Sequence, residues 1–209
     1  MSTFHEMHKV VPEGECGAAK VEHFTVTEEA SRFTALRGAL DYVPPGRYAR
    51  LLVGGHTVMS DTDLEHRTNF EVVRKAQGDV LIAGLGLGMI LWPIVAKPEV
   101  RSVLVVELRP EVIALVGPHL PRKKLRMVVE GDIYTWRPPK GTKYDTIYFD
   151  IWSDLCTDNL DEMTKLHRAF CRHKAPDGWM GSWGQEVLRY RRRQEQREER
   201  TYRMISRAR

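Results

Sequence analysis

The stretch VLIAGLGLGM, residues 80 to 89, decides how this chain folds. Val80 to Ala83 form a short apolar run of the kind that makes a buried strand. Gly84, Gly86 and Gly88 follow at alternate positions. A helix-length segment comes next, Met89 to Lys97, with Pro93 near the first turn, where a missing N–H costs least. Glycine lets the backbone turn tightly after a strand and come close to a ligand beneath a helix N-terminus. The same glycines also suit plain strand-to-helix packing, so their meaning depends on the flanking sequence. Met89 stands where the dinucleotide fingerprint GxGxxG has its last glycine, which argues against NAD or FAD.

Downstream, the apolar runs VLVVE (103 to 107), LRMVV (125 to 129), YDTIYFD (144 to 150) and GWMGSW (178 to 183) alternate with helix-length segments. Pro110 and Glu111 make a good helix start, and Gly117 with Pro118 should end that helix. Leu160, Met163, Leu166 and Phe170 recur at helical spacing within Asp158 to Arg172. Strands alternating with helices predict an α/β fold: a Rossmann-like, open, mainly parallel sheet with helices on both faces. Five or six strands are expected, with truncation after strand five allowed. A fuller sheet would have to recruit Tyr202 to Ser206.

Upstream, Val21, Phe24 and Val26, then Tyr48 to Val53, then Thr57 to Met59 are short apolar segments separated by Pro44, Pro45, Gly46, Gly54 and Gly55. They predict a small antiparallel hairpin or meander, and Asp61 to Ala76 reads as a loop entering a helix. The expected division is residues 1–76 for the hairpin and a lid segment, 77–188 for the Rossmann-like unit, and 189–209 for an Arg-rich helix or tail.

Composition narrows the classes. With 209 residues, 42% hydrophobic and 29% charged, the chain suits one domain with at most a small appendage. No run approaches the roughly 18 apolar residues of a membrane span. The start MSTFHEMHKVV lacks a secretory pattern, and Cys16, Cys156 and Cys171 form no C-x-x-C pair, so a cytoplasmic location is expected. Of the net charge of +4, residues 189 to 209 contribute +6, from nine Arg and three Glu. That tail suits a solvated helix with internal pairs such as Glu199 with Arg203, and nucleic-acid binding is the less favoured reading.

Three carboxylates share one expected location. Glu107 closes the second strand, 23 residues after Gly84; Asp132 follows the third and Asp150 ends the fourth. Open parallel sheets bind ligands outside the C-terminal ends of their strands, so these acids and the glycine turn should meet at one crevice. Each acid taken singly could equally be a helix cap or a solvated loop residue. SDTDLE (60 to 65) reads as a helix N-cap or as a lid bringing Asp61 or Glu65 over that crevice, and Trp152 could wall a substrate pocket. His5 with His8, and His167 with Cys171, do not supply the three or four ligands of a zinc site, so no metal is expected.

In order and spacing, VLIAGLGLGM, VLVVELRPEVI, MVVEGDIYTW and KYDTIYFDIWSD resemble the class I S-adenosylmethionine-dependent methyltransferase superfamily, within it the spermidine-synthase-like branch. RLLVGGHTVMSDTDLEH is similar to the hairpin those proteins carry before the glycine motif, and the resemblance covers roughly residues 50 to 184. It implies S-adenosylmethionine as cofactor. Gly84, Gly86 and Gly88 would face its methionine part with Leu85 beside them, Glu107 and Leu108 its ribose, Asp132 and Ile133 its adenine, and Asp150 the reacting end. Aminopropyltransferases carry an acid inside the glycine motif where this chain has Leu87. The expected activity is therefore methyl transfer to a small-molecule acceptor, with aminopropyl transfer as the alternative. A non-catalytic nucleotide-binding or nucleic-acid-associated protein is the second alternative, and a homo-oligomer is left open.

Overall fold

The structure is a computed structural model that describes residues 4–37 and 42–207. In chain order the elements are β1 (Gly14–Cys16), β2 (Ala19–Val26), α1 (Glu28–Arg37), β3 (Gly46–Val53), β4 (His56–Ser60), α2 (Asp63–Lys75), β5 (Gly78–Ala83), α3 (Leu91–Ala96), β6 (Val100–Glu107), α4 (Pro110–Val116), β7 (Leu125–Glu130), β8 (Tyr144–Phe149), α5 (Asn159–Phe170), β9 (Lys174–Ser182) and α6 (Gln185–Arg207). Strands β1 to β4 form an antiparallel meander in that order. Strands β5 to β9 form a parallel sheet in the order β7-β6-β5-β8-β9.

The period-2 alternation of β5 explains its place at the centre. Val80 and Ile82 join one hydrophobic cluster with Val72 and Val73 of α2, Ile94 of α3, and Val112 and Val116 of α4. Leu81 and Ala83 point the other way, into a cluster with Ile147 and Phe149 of β8 and Leu166 and Phe170 of α5. A strand covered on both faces reads as an unbroken apolar run. The α/β class with helices on both faces is as expected from the sequence.

The antiparallel meander shares the first of these clusters through Met7, Val21, Ala49 and Leu51. Its β1–β2 edge packs on α4, where a Cβ on Gly14 would come 3.3 Å from Leu115. Two elements of this region, β1 and α1, are not marked by the apolar pattern of the sequence. The parallel sheet has five strands among the described residues, and Tyr202 to Ser206 lie within α6 and pair with no strand. The Arg-rich segment 189–209 is thus helical to Arg207, and its last two residues lie outside the described ones. No helix among the described residues is long and apolar enough to cross a membrane.

Candidate functional site

Strand order reverses beside β5: the chain leaves it for β6 on one flank and reaches β8 on the other. A crevice opens at the C-terminal strand ends where such a reversal occurs. The chain makes it tight. Gly84 sits at φ +94°, and a Cβ there would lie 1.9 Å from the carbonyl oxygen of Asp150. Gly86, at φ +52°, would likewise collide with the Met59 sulfur from β4, at 2.2 Å. Only glycine brings β8 on one side, and the meander on the other, this close to the turn.

The resulting cavity has a volume of about 470 Å³, within the roughly 300–1,000 Å³ of small-molecule sites. Gly84, Gly86, Glu107, Leu108, Asp132, Ile133, Asp150, Trp152 and Glu65 all line it. Leu85 and Gly88 do not: Leu85 is buried, and a Cβ on Gly88 would face Leu120 at 2.5 Å. Leu87 is fully buried, and its N–H donates to the Met59 sulfur at 3.2 Å.

Glu107 is held rigidly. Its Oε2 accepts the Leu85 N–H at 2.7 Å and its Oε1 the Arg109 N–H at 2.9 Å. A carboxylate offers about four lone-pair sites, so each oxygen keeps capacity for a ligand hydroxyl. Asp132 Oδ1 accepts the Tyr134 N–H at 2.8 Å, closing a turn that carries the buried Ile133 into the wall.

The opposite end is acidic. Burial pushes the Asp150 carboxyl up to about 7, and burial together with the charge of Asp150 pushes Glu65 up to about 8. Glu65 Oε2 has Asn69 Nδ2 at 3.4 Å, and Asn69 Oδ1 accepts the Tyr148 hydroxyl at 2.9 Å. Glu162 of α5, not singled out by its position in the sequence, also lines the cavity. Its Oε2 accepts the Trp152 indole N–H at 2.9 Å and the Tyr134 hydroxyl at 2.8 Å, bracing two walls. These bonds hold its carboxyl below the usual range. Five acids line the cavity against one base, Arg109, among the described residues.

Of the two acids expected in a lid, the structure brings only Glu65 to the crevice. Asp61 is buried away from it, its Oδ1 accepting the Ala49 N–H and its Oδ2 the Met7 N–H, both at 2.6 Å. The α2 N-cap is Thr62, without a side-chain cap bond. The physical reason is geometric: Asp61 ends the meander facing β3, whereas Glu65 lies one helical turn into α2, on the side facing β8. Asp61→Ala should leave two buried N–H groups unpaired, at about 1–3 kcal/mol each. A fall in melting temperature of roughly 5–15 °C is expected by calorimetry for a chain of this size.

Glu65 and Asp150 also set a pH dependence. Both folded-state values lie above the ordinary 4.5 and 3.8. Their contribution to stability is therefore complete below pH 4 and is lost as pH rises through about 7 to 8. The ligand-free protein should melt at lower temperature at pH 8.5 than at pH 5.5, and Glu65→Gln should narrow that difference. An unchanged difference in the variant would remove Glu65 as its source.

No family model matches the chain. It is 30% identical over 163 residues to polyamine aminopropyltransferase 1 of Streptomyces coelicolor, a match that covers 71% of this chain and 29% of that protein. The chain thus spans less than a third of that curated relative. Among solved structures it is similar to a methyltransferase of Streptomyces caelestis, with TM-score 0.43, 18% identity, and coverage of 56% of this chain and 47% of that one. An S-adenosylmethionine-dependent methyltransferase of Leishmania major gives TM-score 0.46 and 17% identity, covering 57% and 50%. Similarity at this level bears on neither substrate nor reaction.

Proposed function

We propose that the cavity holds S-adenosylmethionine and that the protein transfers a methyl group from it to a small-molecule acceptor. One observation carries this reading: a rigid, ligand-ready carboxylate, Glu107, stands at the end of β6 beside a glycine turn at the strand-order reversal. The donor set fits. Glu107 has free lone pairs for two neighbouring ribose hydroxyls, and Asp132 and Ile133 offer a polar edge and an apolar wall for a purine.

When bound, the cofactor supplies an activated methyl group on a sulfonium. The chain then has three tasks. Glu107, Asp132 and Ile133 would hold and orient the nucleoside end. Trp152, braced by Glu162, walls the acceptor and excludes water. Asp150 would take up, on its carboxylate, the proton that an amine or hydroxyl acceptor must shed as it is methylated. A base poised near 7 suits such a transfer. Glu65 beside it, pushed up to about 8, stays largely protonated and leaves the negative charge on Asp150, which favours a cationic acceptor.

Titration calorimetry with S-adenosylmethionine and with NAD tests the cofactor, and mass spectrometry of the spent cofactor tests the reaction. Binding of S-adenosylmethionine but not NAD, and formation of S-adenosylhomocysteine with a metabolite heavier by one methyl group, are expected. The second reading, aminopropyl transfer, draws on the likeness to the Streptomyces coelicolor protein and on the acids at the reacting end. Methylthioadenosine as the product, with tighter binding of the decarboxylated donor, would replace the first reading by it. Binding of neither donor would overturn both.

A further inference from the structure

We infer that the outer face of α6 docks the phosphate backbone of nucleic acid. Only the first two turns of this helix are tied to the body. Leu188 is fully buried beside Leu160 and Met163. Arg191 donates to the Leu155 carbonyl at 2.9 Å, and Arg192 to the Asp161 carboxylate at 3.0 Å and the Thr157 carbonyl at 2.8 Å. Beyond them, every side chain described from Arg193 onward, Gln194 excepted, is exposed.

The charges on this free part are sorted. At about 100° per residue, Arg189, Arg193, Arg197, Arg200 and Arg203 fall within an arc of about 120°. Glu195, Glu198 and Glu199 fall outside it, and Glu186, in the first turn, falls within it. Arg189, inside the arc, pairs with Glu186, and Arg203, at one edge, with Glu199. Arg193, Arg197 and Arg200 have no ion pair among the described residues. A helix stabilised only by its own pairs would set opposite charges against each other all round. This one instead presents a basic face on which Arg193, Arg197 and Arg200 are unopposed among the described residues.

That face fits a regular polyanion. Its arginines are spaced by steps of about 4.5–6 Å over about 21 Å of helix, along which a duplex carries a charge every ~1.7 Å of its own axis. All five cations are Arg, whose planar fork binds phosphate oxygens in pairs. An anionic bilayer is the poorer match. A membrane-surface helix needs an apolar stripe to bury, and the reverse of α6 carries Glu195, Glu198 and the exposed Tyr202.

Fluorescence anisotropy of the full chain with labelled 20-base-pair DNA and RNA duplexes tests it. Five phosphate contacts predict affinity falling roughly 500-fold between 50 and 200 mM NaCl. R193Q/R197Q/R200Q should cut that fall to roughly tenfold, R197Q alone should lower the salt slope by about one contact, and E195Q/E198Q should bind at least as well as the parent. No binding to either duplex at 50 mM salt with micromolar protein would overturn the inference. So would an unchanged salt dependence in the folded triple variant and in R197Q. Tighter binding to phosphatidylserine vesicles than to either duplex would reassign the face to a membrane.

Discussion

Asp150→Asn should lower turnover by roughly two to four orders of magnitude, the range by which a positioned proton acceptor accelerates such steps, while the dissociation constant for S-adenosylmethionine changes by no more than a few-fold. The side chain lines the acidic end of the cavity, across from Glu107 and Asp132, and the new amide keeps its shape. It loses the ability to take a proton. The parent's pH profile carries a second signature. With the Asp150 carboxyl lifted to about 7 by burial, activity should decline as pH drops below that value, because the protonated acid cannot act as a base. In the variant this limb should vanish from the residual rate. Stopped assays of methyl transfer between pH 5.5 and 9 read both effects. Full activity in the variant would remove Asp150 from the chemistry, and a proportional loss of cofactor binding would make it a cofactor-holding residue.

The second large effect is expected at Glu107. Glu107→Ala removes the acceptor for the ligand's hydroxyls and frees the N–H groups of Leu85 and Arg109, which currently shape the glycine turn. Hydrogen bonds to a charged group contribute about 1.5–3 kcal/mol each, so two of them correspond to a loss of affinity of at least roughly 100-fold. Calorimetric titration measures it, with the melting temperature recorded alongside. The loss should appear in binding even at temperatures where the variant is fully folded, because the freed N–H groups affect the turn more than the sheet. Glu107→Gln should fall between the parent and the alanine variant, since the amide oxygen accepts while its nitrogen only donates. Affinity unchanged in both variants would mean that the cavity does not recognise its ligand through Glu107.

Much of this site is a property of local sequence. The apolar runs that become β5, β6 and β8 are legible because a buried parallel strand needs side chains of one kind on both faces. Gly84 is legible because the turn after β5 demands a residue without a Cβ, at φ +94° and against the Asp150 carbonyl. Glu107, Asp132 and Asp150 come together because each ends, or directly follows, a strand of one parallel sheet. Strand ends in such a sheet share an edge whatever the details of packing.

The tertiary structure decided what depends on direction and distance. Asp61 and Glu65 lie four residues apart and look alike in sequence, yet the entry angle of α2 sends one to the backbone of Met7 and Ala49 and the other into the cavity. Glu162 sits in the first turn of an amphipathic helix, and nothing local distinguishes it from Asp161, which pairs with Arg192 outside. Only the packing of α5 on β8 brings it to Trp152 and Tyr134. Met59 is one of several apolar residues of a meander strand until the fold lays its sulfur on the glycine turn. Local sequence fixes which residues can turn, pair or be buried, because those limits act within a few bonds. Which carboxylates share a cavity is set by the approach of residues some 85 positions apart, as with Glu65 and Asp150, and that exists only once the chain has packed.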